Sequence, residues 1–406
     1  MKTGLRPEPA TWLNVTTTVP PARLIITTLG VFQILAWGSS FYLLGVLAQP
    51  IAADTGWPLA AILGGVSLAM LVAGLVSPTV GRIINAQGGR YVMAFSAAAF
   101  CAGLLLLAAS PTLPVYFCAW AVIGLGMASG LYDPAFATLG RIYGATARPM
   151  ITTVTLFGGF ASTVCWPAAA VLLAAFGWRW TCAAFAAAQF LLALPAYLWL
   201  LPADAPRGGD AAAATPADGV LQGTKQTAGL WMVGAIFASS AVILTLVSTH
   251  LVALLQTRGI TLAEAVAFGT LIGPAQVGAR VIELALGKHY HPLWTMLAGV
   301  ALVLLGTALL WMEYPLIAAA LIFYGAGNGI ISIARGSVPL ALAGSARFPL
   351  VMGRIALPSL LAMAAAPTIG AFLIEQGGAS LAFGTLAALS ACNVVLAIIL
   401  VVKFRR

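Results

Sequence analysis

The chain has 406 residues, 61% of them hydrophobic and only 7% charged. Soluble domains carry about 25% charged residues, so a water-soluble globular fold is excluded. The formal net charge of +9 is spread over short connections rather than gathered in one patch, which excludes a nucleic-acid-binding surface and points to membrane topology.

Residues 1–22 hold short charged and proline-rich patches without the apolar core of a signal peptide, and read as a cytoplasmic tail. Apolar stretches of about 20 residues then follow one another, each enough to cross a bilayer as a helix. Helices are expected because these stretches lack the alternation of barrel strands. Twelve spans are expected, at about 24–50, 59–83, 90–109, 113–140, 149–175, 178–201, 228–255, 261–286, 292–311, 315–343, 350–374 and 379–403. The Ala/Pro/Gly/Asp segment over 202–227 cannot build a core and reads as a cytoplasmic linker. It separates an N-terminal six-helix bundle (23–201) from a C-terminal one (228–406) that ends in a short cytoplasmic tail.

Lys and Arg orient the spans. With both termini and the even-numbered connections in the cytoplasm, 17 basic residues fall on that side and only Arg179 and Arg258 on the other. A multi-pass protein of a bacterial inner membrane is the expected setting. The five cysteines lie inside apolar segments without a CxxC pair and read as small buried hydrophobes. No GxxxxGK[ST], HExxH, paired aspartates or Ser/His arrangement is present, so neither ATP drive nor an enzyme is expected, and no cofactor or metal.

The two halves repeat one another at an offset near 200. Pro149 and Pro349, Pro167 and Pro367, Gly177 and Gly377, and the Ser39-Ser40 and Ser239-Ser240 doublets match; Gly124 and Gly126 match Gly325 and Gly327 at 201. Two similar bundles imply a pseudo-two-fold axis along the membrane normal, with a site between them near the midplane.

Through this repeat, the chain resembles the major facilitator superfamily over about residues 23 to 403. The segment 81–90, GRIINAQGGR, is similar to that superfamily's loop signature through Gly81, Arg82, Gly88 and Arg90, with Asn85 where the family usually has Asp. The fourth span has Trp120 where the family usually has an arginine, and the fifth has a proline without the Gly-Pro pattern of drug antiporters; both departures weaken a drug-efflux reading. The stretches 37–60 and 176–179 resemble the monocarboxylate and oxalate/formate-type branch. The resemblance implies an all-α membrane fold of two pseudo-symmetric six-helix bundles working by alternating access, with the fourth and tenth helices lining the pathway.

Charged residues inside spans are costly and usually face a cavity or a partner. The candidates are Asp133, Arg280, Glu283, Arg335 and Arg354. The 201 offset sets Asp133 opposite Ala334, next to Arg335. Two readings stay open: an ion pair across the halves that gates the cytoplasmic end, or a local latch from Asp133 to Arg82, Arg90 or Arg141. Arg280 and Glu283, three apart on the eighth span, are expected to neutralise each other, with proton coupling through Glu283 as the alternative. Arg354 has no evident acidic partner and is a candidate anion holder. Tyr324, Asn328, Ser332 and Arg335 recur on one face of the tenth span, as Gln33, Trp37 and Ser40 do on the first, with Ser240 as the repeat partner of Ser40. Together they are expected to make a mostly apolar cavity with few polar groups, the usual form of a small-ligand site.

Three arginines against two acids within the spans favour a carboxylate over a cationic solute. The expectation is a secondary transporter, a monomer, moving a small organic, monocarboxylate-like anion, with protons as candidate co-substrate and lipid as its only other partner. Efflux of an amphipathic toxic compound is the alternative.

Overall fold

The computed structural model describes residues 20–202, 223–312 and 316–404. Among these, every regular element is a helix. The first span is Ala22–Gly38 and Leu44–Thr55, joined by a turn. Leu59–Gln87 is the second and Arg90–Ala108 the third. The fourth is Leu113–Gly130 and Tyr132–Tyr143, broken at Leu131. The fifth is Ala147–Gly159 and the first part of Ala161–Ala188, which breaks at Gly177; the sixth runs from there through a π-helical turn to Leu194–Leu200. The seventh is Gly223–Gln256, the eighth Leu262–Gly269 with Ile272–Leu286, the ninth Pro292–Trp311 and the tenth Ile317–Ala343. Phe348–Phe404 breaks at Gly377 and Gly378 and supplies the eleventh and twelfth.

Eight continuous stretches are long and apolar enough to cross a membrane. Leu113–Leu200 among them holds three passes and Phe348–Phe404 two, and the first span stands apart because its turn divides it. The expected linker 202–227 and tail 1–22 fall mostly outside the described residues, although helix already begins at Gly223, inside the expected linker.

The breaks between passes are chemically specified. Gly177 sits at φ 79° and Gly378 at φ 61°, backbone that L side chains rarely adopt, so these two positions turn the chain without a loop. Exposed Trp180, Trp199, Trp231, Val171 and Val402 clothe the outside with apolar surface suited to lipid.

Each half has its own apolar core, but Leu340, Phe348, Met352, Ala356, Leu360 and Met363 of the second half pack into the core of the first. The second span crosses the eleventh, and the fifth meets the eighth and tenth. The tightest crossing is glycine on glycine. A Cβ on Gly81 would stand 2.5 Å from the Pro349 carbonyl oxygen, and one on Gly353 2.5 Å from that of Ser77. Both lie toward the end of the bundle that carries Arg82, Arg90, Arg141, Arg148 and Arg347, here called the basic end. There the halves are closed on one another.

Candidate functional site

The fourth span accounts for its own break. Pro134 has no N–H to give the Gly130 carbonyl, and its ring crowds that oxygen. The backbone leaves helical geometry at Leu131 (φ −79°, ψ −163°), and the Gln33 side-chain amide donates to the freed Gly130 oxygen at 2.7 Å. Gln33 in turn accepts from Trp37 Nε1 at 3.2 Å. Gln33 is thus a fully buried strut between the first and fourth spans rather than a cleft-lining group.

Beyond the break, neighbouring residues serve different partners. The Asp133 carboxylate accepts a two-pronged bond from Arg335, Nε at 2.7 Å and Nη2 at 2.9 Å, so the fourth and tenth spans are tied across the halves. The guanidinium also lies 5.9 Å from the Phe237 ring centroid. This planar fork-to-carboxylate geometry is the strong form of an ion pair. The candidate latch residues are engaged elsewhere: Arg82 donates to Thr79, Arg141 to the Asn85 carbonyl, and Arg90 lies over Tyr91. With Asn at position 85, it is the backbone oxygen of that residue that accepts from Arg141. Gly88 ends the second span at φ 85°.

A second tie across the halves was not expected from the sequence. Glu283, 5% exposed, does not pair with Arg280 as the three-residue spacing had indicated. It turns toward the ninth span and the preceding connection, where better donors wait. Thr295 donates to Oε1 at 2.7 Å, Tyr290 donates to Oε2, and Arg148 of the fifth span reaches Oε1 at 3.4 Å. Arg148 also donates to the Tyr290 carbonyl at 2.7 Å and to Thr295 at 3.1 Å. Burial, with Glu283 beside it, pushes the Tyr290 phenol up to about 12, which keeps it a donor.

Arg280 is left without an anion. Its Nε donates to Ser332 at 3.1 Å and, more weakly, to the Gly329 carbonyl at 3.4 Å, and its Nη2 to Gln276 at 3.4 Å. Its Nη1 is buried with no hydrogen-bond partner, and no carboxylate among the described residues lies within 4.0 Å of it. That nitrogen lies against Gly159 of the other half; any side chain there would occupy its place. The Tyr132 hydroxyl lies against the adjacent Gly158.

The remaining candidates divide. Trp37, Asn328 and Ser332 are partly exposed, and Asn328 donates to the buried Tyr324 hydroxyl at 3.1 Å. Ser40 is fully buried and donates to the Ala36 carbonyl, while Ser240 accepts from Asn393 at 3.2 Å. Both serine hydroxyls therefore hold helices. Arg354 is exposed on the eleventh span, next to Gly353, which packs on Ser77 and Gly81 of the second span. Arg148, Tyr290, Thr295, Tyr132 and Gly159 carry the geometry without belonging to a sequence pattern of their own: Arg148 reads as one more basic residue on the cytoplasmic side, and only the Gly158–Gly159 doublet signals a close approach.

Comparison with known proteins agrees with this architecture. Residues 29–290 match the family profile described as the Major Facilitator Superfamily. The chain therefore belongs to the major facilitator superfamily, whose members are membrane transporters and not enzymes. Curated proteins give no match. Among solved structures it is similar to the human organic anion transporter MFSD10 (TETRAN), with 16% identity, a TM-score of 0.72, and 93% of this chain and 100% of that chain covered. It is also similar to the proton:xylose symporter XylE bound to 6-bromo-6-deoxy-D-glucose (14%, 0.73, 95% of each chain) and to a double-Trp XylE mutant (14%, 0.70, 95% of each). At these identities the likeness is one of fold.

Proposed function

We propose that the protein is a secondary transporter of a small organic anion, a monocarboxylate, working by alternating access. One observation carries the anion: the buried Arg280 guanidinium with an unpartnered Nη1 and no carboxylate beside it. An uncompensated buried charge costs several kcal/mol, and ionisable groups at membrane depth mark solute pathways. A solute carboxylate would remove that cost, accepting from Nη1 at the junction of the fifth, eighth and tenth spans. Arg335 is unsuited to the task in this state because Asp133 already neutralises it. Nor do the fold neighbours carry the reading, since one moves an organic anion and another xylose.

Site and closure share helices. Ser332, which supports Arg280, lies one turn from Arg335, and Tyr132 adjoins Asp133. Solute at Arg280 thus bears on the two spans whose Asp133–Arg335 tie shuts the basic end. Lys and Arg place that end in the cytoplasm, so the state described is shut inward, in a bacterial inner membrane with both termini inside. Asp133 and Glu283 are the two acids that tie the halves together, which makes them the candidate sites for coupling to a proton. A monomer suffices, as one chain supplies every group named.

The test is uptake into proteoliposomes of radiolabelled monocarboxylates, with and without an inward pH gradient. Saturable acid uptake, increased by the gradient, is expected. Saturable uptake of a neutral or cationic compound, with none of the acids, would overturn the anion reading and favour efflux of an amphipathic compound.

A further inference from the structure

Three aromatic side chains of the first half form a cluster that reaches Arg280 through Tyr132, just past the break in the fourth span; Trp37 and Tyr42 of the first span complete it. They lie between the ends of their spans, yet all three are partly exposed, unlike the fully buried Tyr116 and Tyr197. Trp37 and Tyr132 lie 5.1 Å apart at 51°, and Trp37 and Tyr42 6.2 Å apart at 45°, so none of the three is stacked face to face on another. Partly exposed rings next to a buried cation offer aromatic surface to a planar group.

Each ring is held in place. Trp37 is fixed by its bond to Gln33, Tyr132 by stacking on Phe136 at 5.3 Å and 12°, and Tyr42 by Phe41 and Trp166. Tyr132 joins the aromatic cluster to the charge, because its hydroxyl and Arg280 Nη1 rest on the adjacent glycines 158 and 159.

We propose that the solute is an aryl carboxylate, its ring inserted against Trp37, Tyr42 and Tyr132 and its carboxylate on Arg280. This rests on the anion reading above and adds the part of the molecule that the arginine does not specify. An aliphatic acid of the same bulk would bury similar area but lack the ring-face contact. A dicarboxylate would bring a second charge to a surface without a second free cation among the described residues.

Equilibrium titration of the purified full chain, followed by tryptophan fluorescence, with benzoate, cyclohexanecarboxylate and acetate separates the two claims. Benzoate is expected to bind about fivefold tighter than cyclohexanecarboxylate and far tighter than acetate. Trp37→Leu is expected to remove the benzoate advantage while leaving cyclohexanecarboxylate within about twofold. Should Trp37→Leu fold poorly by size-exclusion profile, Tyr42→Leu and the wild-type ligand comparison decide. If both ring acids bind equally and lose affinity in Arg280→Gln, the aryl assignment is overturned and the anion reading stands. If no carboxylate binds, or Arg280→Gln binds like the wild type, the anion reading itself falls and takes the aryl assignment with it.

Discussion

Arg280 and Arg335 lie on neighbouring spans of the same half and face the same opposite half, yet their surroundings differ. Arg335 meets Asp133 in a planar two-pronged pair at 2.7 and 2.9 Å. Arg280 has amide, hydroxyl and carbonyl oxygens around it but no carboxylate, and one nitrogen has no acceptor. Toward the basic end, opposite charges are matched within the protein and the halves are held together. At Arg280 one charge has no counter-charge within 4.0 Å among the described residues. The proposed function gives closure and recognition to separate arginines, so each should be breakable without removing the other.

The largest effect is expected at Arg280. Arg280→Gln should lower anion uptake by about a hundredfold or more, in line with losing one partner of a desolvated charge pair. Thermal stability in detergent should hold or rise, because an unpaired buried charge has been removed. A fall in stability comparable to that of an ordinary core mutant would mean that the arginine is structural.

Breaking the other arginine should do the reverse. Asp133→Asn or Arg335→Gln leaves the partner uncompensated and should shift the population toward an open basic end by about tenfold or more. Pulsed electron-spin distances between labels on the two halves at that end would report it. The double reversal, Asp133→Arg with Arg335→Asp, should restore closure to within about threefold. Singles that open the end with no rescue by the reversal would show that the pair is not the tie.

A smaller change is expected at the second tie. Glu283→Gln keeps a carbonyl for Thr295 and Tyr290 but removes the charge opposite Arg148, and should loosen closure by about threefold. At the far end of the first span, Asp54 bonds to Arg179 and Trp178 with both charged side chains well exposed. Such surface pairs contribute little, so Asp54→Asn should leave uptake and closure unchanged. This is the control for charge removal as such.

What could be seen in the sequence follows the same division. Span positions were legible because lipid demands long apolar runs, and the ninth span, Pro292–Trp311, shows the limits that the hydropathy placed. The internal repeat set Asp133 beside Arg335 in depth, since equivalent positions in two related bundles reach the same level. Spacing within one helix misled at Glu283. Three residues apart permits a local pair with Arg280, but which donors win depends on Thr295, Tyr290 and Arg148, which are distant in sequence. Ser40 and Ser240 misled for a related reason, as a hydroxyl on a helix reaches its own chain or a neighbour as readily as a ligand. The Arg280 environment needed Gly159 of the other half, and no one-dimensional pattern pairs a glycine with an arginine more than 100 positions away.

The central claim is that recognition belongs to Arg280 and closure to Asp133 with Arg335. It is tested most directly by benzoate titration of three purified proteins: the wild type, Arg280→Gln, and the neutral double variant Asp133→Asn with Arg335→Gln. The account predicts at least about a hundredfold weaker binding for Arg280→Gln and binding within about threefold of wild type for the double variant. Wild-type affinity in Arg280→Gln, with binding lost in the double variant, would contradict it.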